Sequence, residues 1–230
     1  MTDQINYSVR EFRHIVNRLL HALGARRHMV NPVRDVLLFA EASGFAAFDE
    51  LERTRDRVAG FDGLLVETPE GWSAGGQAGY FVAPTVVDLL EVAAIDAPAE
   101  MTLVEVDGSD VFVALRGYAA VRGVDLEVVP DADDARRVVL RATSIPTPAP
   151  RHPIDAEGPQ MRRALLEGFD ADRAQFWRLF HASDQALTPD SELSRRHAGS
   201  QLYDGDGNLL GEVDEESYEY IRSFATEPAR

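Results

Sequence analysis

The sequence predicts an α+β protein: an N-terminal three-helix segment, a central and mainly antiparallel sheet, and C-terminal helices with a β-hairpin. Three observations carry this reading. Apolar residues recur at helical spacing from Val9 to Val58. Valine-rich runs separated by Gly or Asp fill the middle of the chain. Beyond a proline-dense stretch at 144–153, helical spacing returns.

The first helix opens on Ser8 and Glu11, a capping box in which each side chain satisfies a backbone N–H left free at a helix start. Val9, Phe12, Ile15, Val16, Leu19, Leu20 and Leu23 form its buried stripe, and Gly24 supplies a left-handed stop. A second helix is expected from Asn31, with Pro32 in the first turn, where the missing N–H costs nothing. It ends at Gly44. A third, shorter and more charged, runs from about Ala46 to Val58 on Phe48 and Leu51.

Leu64–Thr68 and Trp72–Ala74 flank Pro69-Glu70-Gly71 and predict a hairpin. A helix is expected from about Pro84. Met101–Val106, Val111–Leu115, Val124–Val129 and Val138–Ala142 are the strand candidates. These candidates are expected to pair into one largely antiparallel sheet, and among their connections only the stretch between Val113 and Val124 looks long enough for a helical crossover. Four prolines between 144 and 153 predict a stiff extended connector. A helix near Pro159–Gly168, another capped by Asp170, a short one opened by Thr188-Pro189, a hairpin over Gln201–Val213 and a last helix capped by Asp214 complete the chain. The expected organisation is a helical opening plus sheet over 1–143, the connector over 144–153 and a C-terminal helical and hairpin segment over 154–230, together one compact domain.

Composition excludes several chemistries. Hydrophobic residues make up 45% of the 230 and charged residues 27%, which is globular rather than disordered composition. The formal charge of −16 repels phosphate backbones and anionic surfaces, so nucleic acid is not the expected partner. No apolar run approaches the roughly 18 residues that span a bilayer. The N-terminus shows no basic start followed by an apolar stretch, so a cytoplasmic protein without a membrane partner is expected. All the Lys and Arg positions are arginine and there is no cysteine. Schiff-base chemistry, a phosphate-loop lysine, thiolate nucleophiles and thiolate metal sites are therefore excluded.

The residues richest in chemistry lie in Thr188–Ser200. On a helix Glu192 and Arg196 are four apart and Ser194 and His197 three apart. Arg195 and Arg196 offer guanidinium forks for a carboxylate, and His197 adds the residue type suited to proton exchange. The competing reading is a solvated helix with internal ion pairs. Arg151 and His152 sit at the end of the connector, where His152 and Asp155 could work as an acid–base pair or be simple loop polar groups. Asp204, Asp206, Asn208, Glu212 and Glu215 approach calcium-loop spacing, but Leu209 stands where the turn needs glycine, which favours a hairpin. Gly71, Gly75, Gly76 and Gly79 do not reproduce a dinucleotide-binding glycine pattern and read as a loop. His14, His21 and His28 recur every seven residues without ligating neighbours and read as structural, so no metal is expected.

Trp177, Pro189, Glu192, Ser194, Arg195, Gly199, Asp204 and Asp206 together resemble an uncharacterised bacterial domain-of-unknown-function family with a tryptophan-led helix, a V-P-x-x-E-x-S-R element, a glycine run and a D-N-D ending. The chain departs at Thr188 and Gly205, and at His197 and Gln201 within the glycine run. The opening helices and Gly44–Arg53 are also similar to the start of the malate/L-lactate dehydrogenase family that lies outside the Rossmann class. There the resemblance places Ala47, Phe48 and Asp49 where that family carries Ser-His-Gly, so its catalytic histidine is absent.

The expected function is an enzyme or enzyme subunit acting on a small carboxylate-bearing metabolite. Arg195, with Arg196, Ser194 and Arg151, would hold the anion; His197, Glu192 or His152 would move protons. No cofactor is specified by the residues, and a homo-oligomer is expected. The alternatives are a non-catalytic binding or assembly module, such as an accessory subunit that lost the dehydrogenase histidine, and an NAD(P)H-dependent reductase.

Overall fold

A computed structural model describes residues 3–146 and 158–187, together with the backbone of two short strands at 201–203 and 209–212. The chain divides into two compact units, Met1–Ala186 and Leu187–Arg230. The fold is α+β, as the periodicities predict.

The first unit begins with a strand that no periodicity announces, β1 (Gln4–Tyr7). It leads into α1 (Val9–Ala22), which starts on the predicted box: Ser8 N donates to Glu11 Oε2 at 2.7 Å and Glu11 N donates to Ser8 Oγ at 3.2 Å. Gly24 closes the helix end with φ +79°, a conformation that costs other residues a Cβ clash. Next come α2 (Arg27–Ala42) and α3 (Ala47–Thr54), the latter running on as a 3₁₀ turn through Gly60. The hairpin of β2 (Val66–Thr68) and β3 (Gly71–Ser73) precedes α4 (Gly79–Ala93) and β4 (Ala99–Val104). Two short helices, α5 (Val111–Ala114) and α6 (Arg116–Val121), lead to β5 (Val124–Pro130) and β6 (Val138–Ser144). The unit ends with α7 (Gly158–Glu167), β7 (Phe169–Asp172) and α8 (Arg173–Ser183). In the second unit β8 (Gln201–Tyr203) and β9 (Leu209–Glu212) pair antiparallel, the predicted hairpin.

Three expectations are corrected. Both proline-marked helices start earlier than expected, and Pro32 and Pro84 each become the sixth residue of their helix. Burial is the reason. Met29 and Val30 in α2, and Gly79 to Val82 in α4, are core residues, so helical hydrogen bonding extends back to satisfy their backbone, and each proline forfeits one bond to the carbonyl four residues earlier. Val111–Leu115 is helix rather than strand: Val111, Phe112 and Leu115 are buried while Val113 is 47% exposed, which is a helical rather than an alternating pattern. Asp170 belongs to β7, and Asp172 caps α8 by accepting from Gln175 N at 2.9 Å. The displacement follows from β1, whose ladder recruits Phe169–Asp172 as its antiparallel partner. The helix expected between the hairpin and Met101 is in place: α4 carries the chain from β3 to β4, and those two strands pair parallel.

The main sheet has the order β2-β3-β4-β6-β5, antiparallel except for β3–β4. Along β5 and β6 alternate residues are buried, and on the outer face, beside the Val129–Val139 pair, Arg141 meets Glu100 at 2.8 Å and Glu127 at 3.5 Å across three strands. The two-stranded β1–β7 sheet sits elsewhere, beside a cluster of Tyr7, Phe12, Phe48, Phe169 and Phe176. Ring centroids of the contacting pairs in this cluster lie 5.3 to 6.4 Å apart. Each such ring contributes roughly 1.5–3 kcal/mol by burial. Five rings drawn from β1, α1, α3, β7 and α8 thus join the two ends of the first unit into one core. Among the described residues, no helix is long and apolar enough to cross a membrane.

Candidate binding groove

Two concavities flank the aromatic cluster. One, of about 530 Å³, lies between α1 and α8 and is lined by Ser8, Arg10, Glu11, His14, Ile15, Phe176, Trp177 and Phe180. The other, of about 300 Å³, opens where β7 and the start of α3 approach, and contains Glu41, Asp49, Asp170 and Asp172.

The α1–α8 groove is built by helical spacing on both sides. Ser8, Glu11 and Ile15 succeed one another at three and four residues, and Arg10 and His14 form a neighbouring row at four. From α8, Phe176 and Phe180 share one row and Trp177 flanks them. Ile15 and Phe176 are buried and form the floor. Trp177 stands 42% exposed. Its ring meets Phe176 and Phe180 edge-on, both at 5.4 Å between centroids, and stacks on His181 at 5.9 Å. The volume lies within the range of small-molecule sites.

The groove's charges are unequally engaged. Glu11 spends Oε2 on Ser8 N and Ser8 Oγ, and these bonds hold its carboxyl below the usual carboxylate range. Arg10 has no carboxylate or hydrogen-bond partner among the described residues. The arginines of α8 differ: Arg173 donates to Asp3 Oδ1 at 2.8 Å and Arg178 to Glu52 at 3.1 Å. In a chain of net charge −16, an exposed guanidinium that forms no ion pair among the described residues, beside an aromatic wall, is the feature that calls for a ligand.

The acidic pocket, by contrast, is internally occupied. Glu41 accepts from Ala47 N at 2.9 Å and from the Tyr7 hydroxyl at 3.1 Å. Asp172 caps α8, Asp170 accepts from Asn6 Nδ2 at 3.1 Å, and Asp49 accepts from Gln175 Nε2. Burial, reinforced by the charge of Asp49, pushes the Glu41 carboxyl up, and burial with the charge of Glu41 pushes the Tyr7 hydroxyl up. This pocket is a joint between β1, α2, α3 and β7.

Of the residues singled out in the sequence, Arg151, His152, Glu192, Ser194, Arg195, Arg196 and His197 lie outside the described residues, as do Asp155, Asp204, Asp206, Asn208 and Glu215. His14 lines the groove, whereas His21 sits in the last turn of α1 and His28 in the first turn of α2. Among the described residues, no three His, Asp or Glu side chains are grouped to hold a metal ion. The glycine stretch is a loop joining β3 to α4. Gly75 and Gly76 have φ of +59° and +78°, and Gly79 N donates to Asp107 O at 2.7 Å. That loop packs on a strained neighbour, Glu105, at φ +54°, whose carboxylate accepts from Ser73 Oγ at 2.5 Å.

Sequence reasoning passed over Arg10. A polar residue on an amphipathic helix reads as solvated surface, and nothing local says that α8, more than 160 positions later, supplies the opposite wall. The available signal was the pairing of Arg10 with His14 at four residues beside the apolar stripe. Comparison of the chain with protein-family models, with curated proteins and with solved structures finds no match.

Proposed function

We propose that this chain binds a small carboxylate-bearing metabolite in the groove between α1 and α8, with Arg10 as the anion-holding residue. The observation that carries the reading is the guanidinium of Arg10, unpaired among the described residues, beside the half-exposed Trp177 in a concavity of about 530 Å³. A charge-assisted bond from arginine to a carboxylate is about twice as strong as a neutral one, and the adjoining rings provide apolar area for the rest of the molecule. His14, one turn from Arg10, is the groove's candidate for proton exchange with the bound species.

Isothermal titration with 3-phenylpropionate and with its neutral isostere 3-phenylpropionamide tests this. Saturable binding of the acid, weaker binding of the amide, and loss of the difference in Arg10→Ala are expected. Arg10 is exposed, so the variant should melt with the parent. Equal binding of acid and amide, or an Arg10→Ala variant that still prefers the acid, would remove Arg10 from the site.

A further inference from the structure

The groove carries a negative charge as well as a positive one, and the two are neighbours. Arg10 and Glu11 are consecutive on α1 and both line the cavity. Glu11 is kept ionised by its bonds from Ser8, and both of those bonds end on Oε2. Its Oε1 accepts no bond among the described residues. Across from this pair stand the open side of Trp177 and the ring of Phe180, with Ile15 and Phe176 beneath. One face of the Trp177 ring is stacked on His181.

Each simple ligand class leaves part of this lining unmatched. A plain carboxylate meets Arg10 but is repelled by the Glu11 charge beside it. A plain amine meets Glu11 and is repelled by Arg10. A small polar zwitterion satisfies both charges and leaves the indole and phenyl rings in water. We infer that the ligand is an aromatic zwitterion, an α-amino acid with an aromatic side chain, its carboxylate on Arg10, its ammonium on Glu11 Oε1 and its ring against Trp177. This rests on the binding reading above and narrows it to one chemical class. Adjacent opposite charges on the ligand match adjacent opposite charges on the helix, and like-charge contacts are what reject the alternatives.

The test is isothermal titration of the full chain at neutral pH with L-phenylalanine, 3-phenylpropionate, phenethylamine and L-alanine. L-Phenylalanine is expected to bind about tenfold more tightly than each of the other three, the increment of one charge-assisted contact or of the ring. Glu11→Gln is expected to remove the preference of L-phenylalanine over 3-phenylpropionate. Glutamine also completes a capping box, so the substitution keeps α1, and a thermal melt by circular dichroism verifies this. If 3-phenylpropionate binds the parent chain as tightly as L-phenylalanine, the zwitterion inference is overturned and the Arg10 reading stands. An L-alanine affinity equal to that of L-phenylalanine overturns the aromatic part. An unchanged preference in Glu11→Gln overturns the role of Glu11. If neither carboxylate with a ring binds the parent chain, the inference and the reading beneath it fall together.

Discussion

The Tyr7 hydroxyl donates to Glu41 Oε1 at 3.1 Å, while the other oxygen of the same carboxylate accepts from Ala47 N at 2.9 Å. One side chain at the end of α2 thereby ties down the first strand and starts the third helix, where no side-chain cap is otherwise present. The arrangement satisfies buried polar groups at the cost of holding a carboxyl away from water.

That cost has a sign in pH. Glu41 titrates higher in the folded chain than its ordinary value of 4.5. Its contribution to stability is therefore fully present below that value and is lost as pH rises through the folded titration. Glu41→Gln removes the titration while keeping hydrogen-bonding groups toward Tyr7 and Ala47. Urea midpoints measured from pH 4 upward, on the order of one point per half unit, should show the parent falling relative to Glu41→Gln. A difference that stays flat with pH would contradict the burial argument.

Glu11 has the opposite sign. Its folded carboxyl titrates below the ordinary value because Ser8 donates to it twice, so this contribution is present above about 4.5 and is lost as pH falls. Ser8→Ala removes one side of the box and is expected to cost about 1 kcal/mol. That corresponds to a fall in melting temperature of roughly 2–4 °C in a chain of this size. No change in the melt would mean that the N-terminus of α1 is held by packing alone.

Two glycines separate packing from conformation. A Cβ on Gly79 would lie 2.5 Å from Gly108 O and 2.9 Å from Val111 Cγ1, whereas one on Gly60 meets nothing within 4 Å. Gly79→Ala is expected to cost about 1–3 kcal/mol by overpacking. Gly60→Ala should stay within about 0.5 kcal/mol of the parent. Chemical denaturation of the two variants side by side checks the contrast, and equal midpoints would refute it.

The aromatic cluster and the groove wall should respond differently to truncation. Phe12 is fully buried among Tyr7, Phe48 and Phe169, so Phe12→Ala is expected to cost about 3–5 kcal/mol. Trp177, 42% exposed, should lose little stability as Trp177→Ala while losing affinity for aromatic carboxylates. Denaturation and titration of both variants separate the two effects; a Trp177→Ala variant that binds 3-phenylpropionate unchanged would take the indole out of the site.

Local rules carried the reading where a pattern was long or chemically specific. The capping box at Ser8 and Glu11, the left-handed Gly24 and the hairpin around Gly71 are set by backbone chemistry within a few residues, and each is found in place. They failed where burial competes with local preference. Pro32 and Pro84 mark helix starts in isolation, yet the core draws both helices one turn further back. Val111–Leu115 was too short for its period to choose between strand and helix. The strand at Gln4–Tyr7 has no signal of its own, because its ladder partner lies at Phe169–Asp172.

The candidate site divides along the same line. Sequence by itself determined the available chemistry: arginine and no lysine, no thiol, an acidic surface, an α+β pattern and a first helix with a defined start. Only the tertiary structure decided that Arg10 lines a groove. A helix periodicity specifies the row on which Arg10, Glu11 and His14 stand, but a groove needs a second wall. That wall, with Trp177 and Phe180, comes from α8, placed there by the pairing of β1 with β7 and by the shared aromatic core. Contacts of such sequence separation are chosen by the burial of the whole chain, which no local pattern encodes.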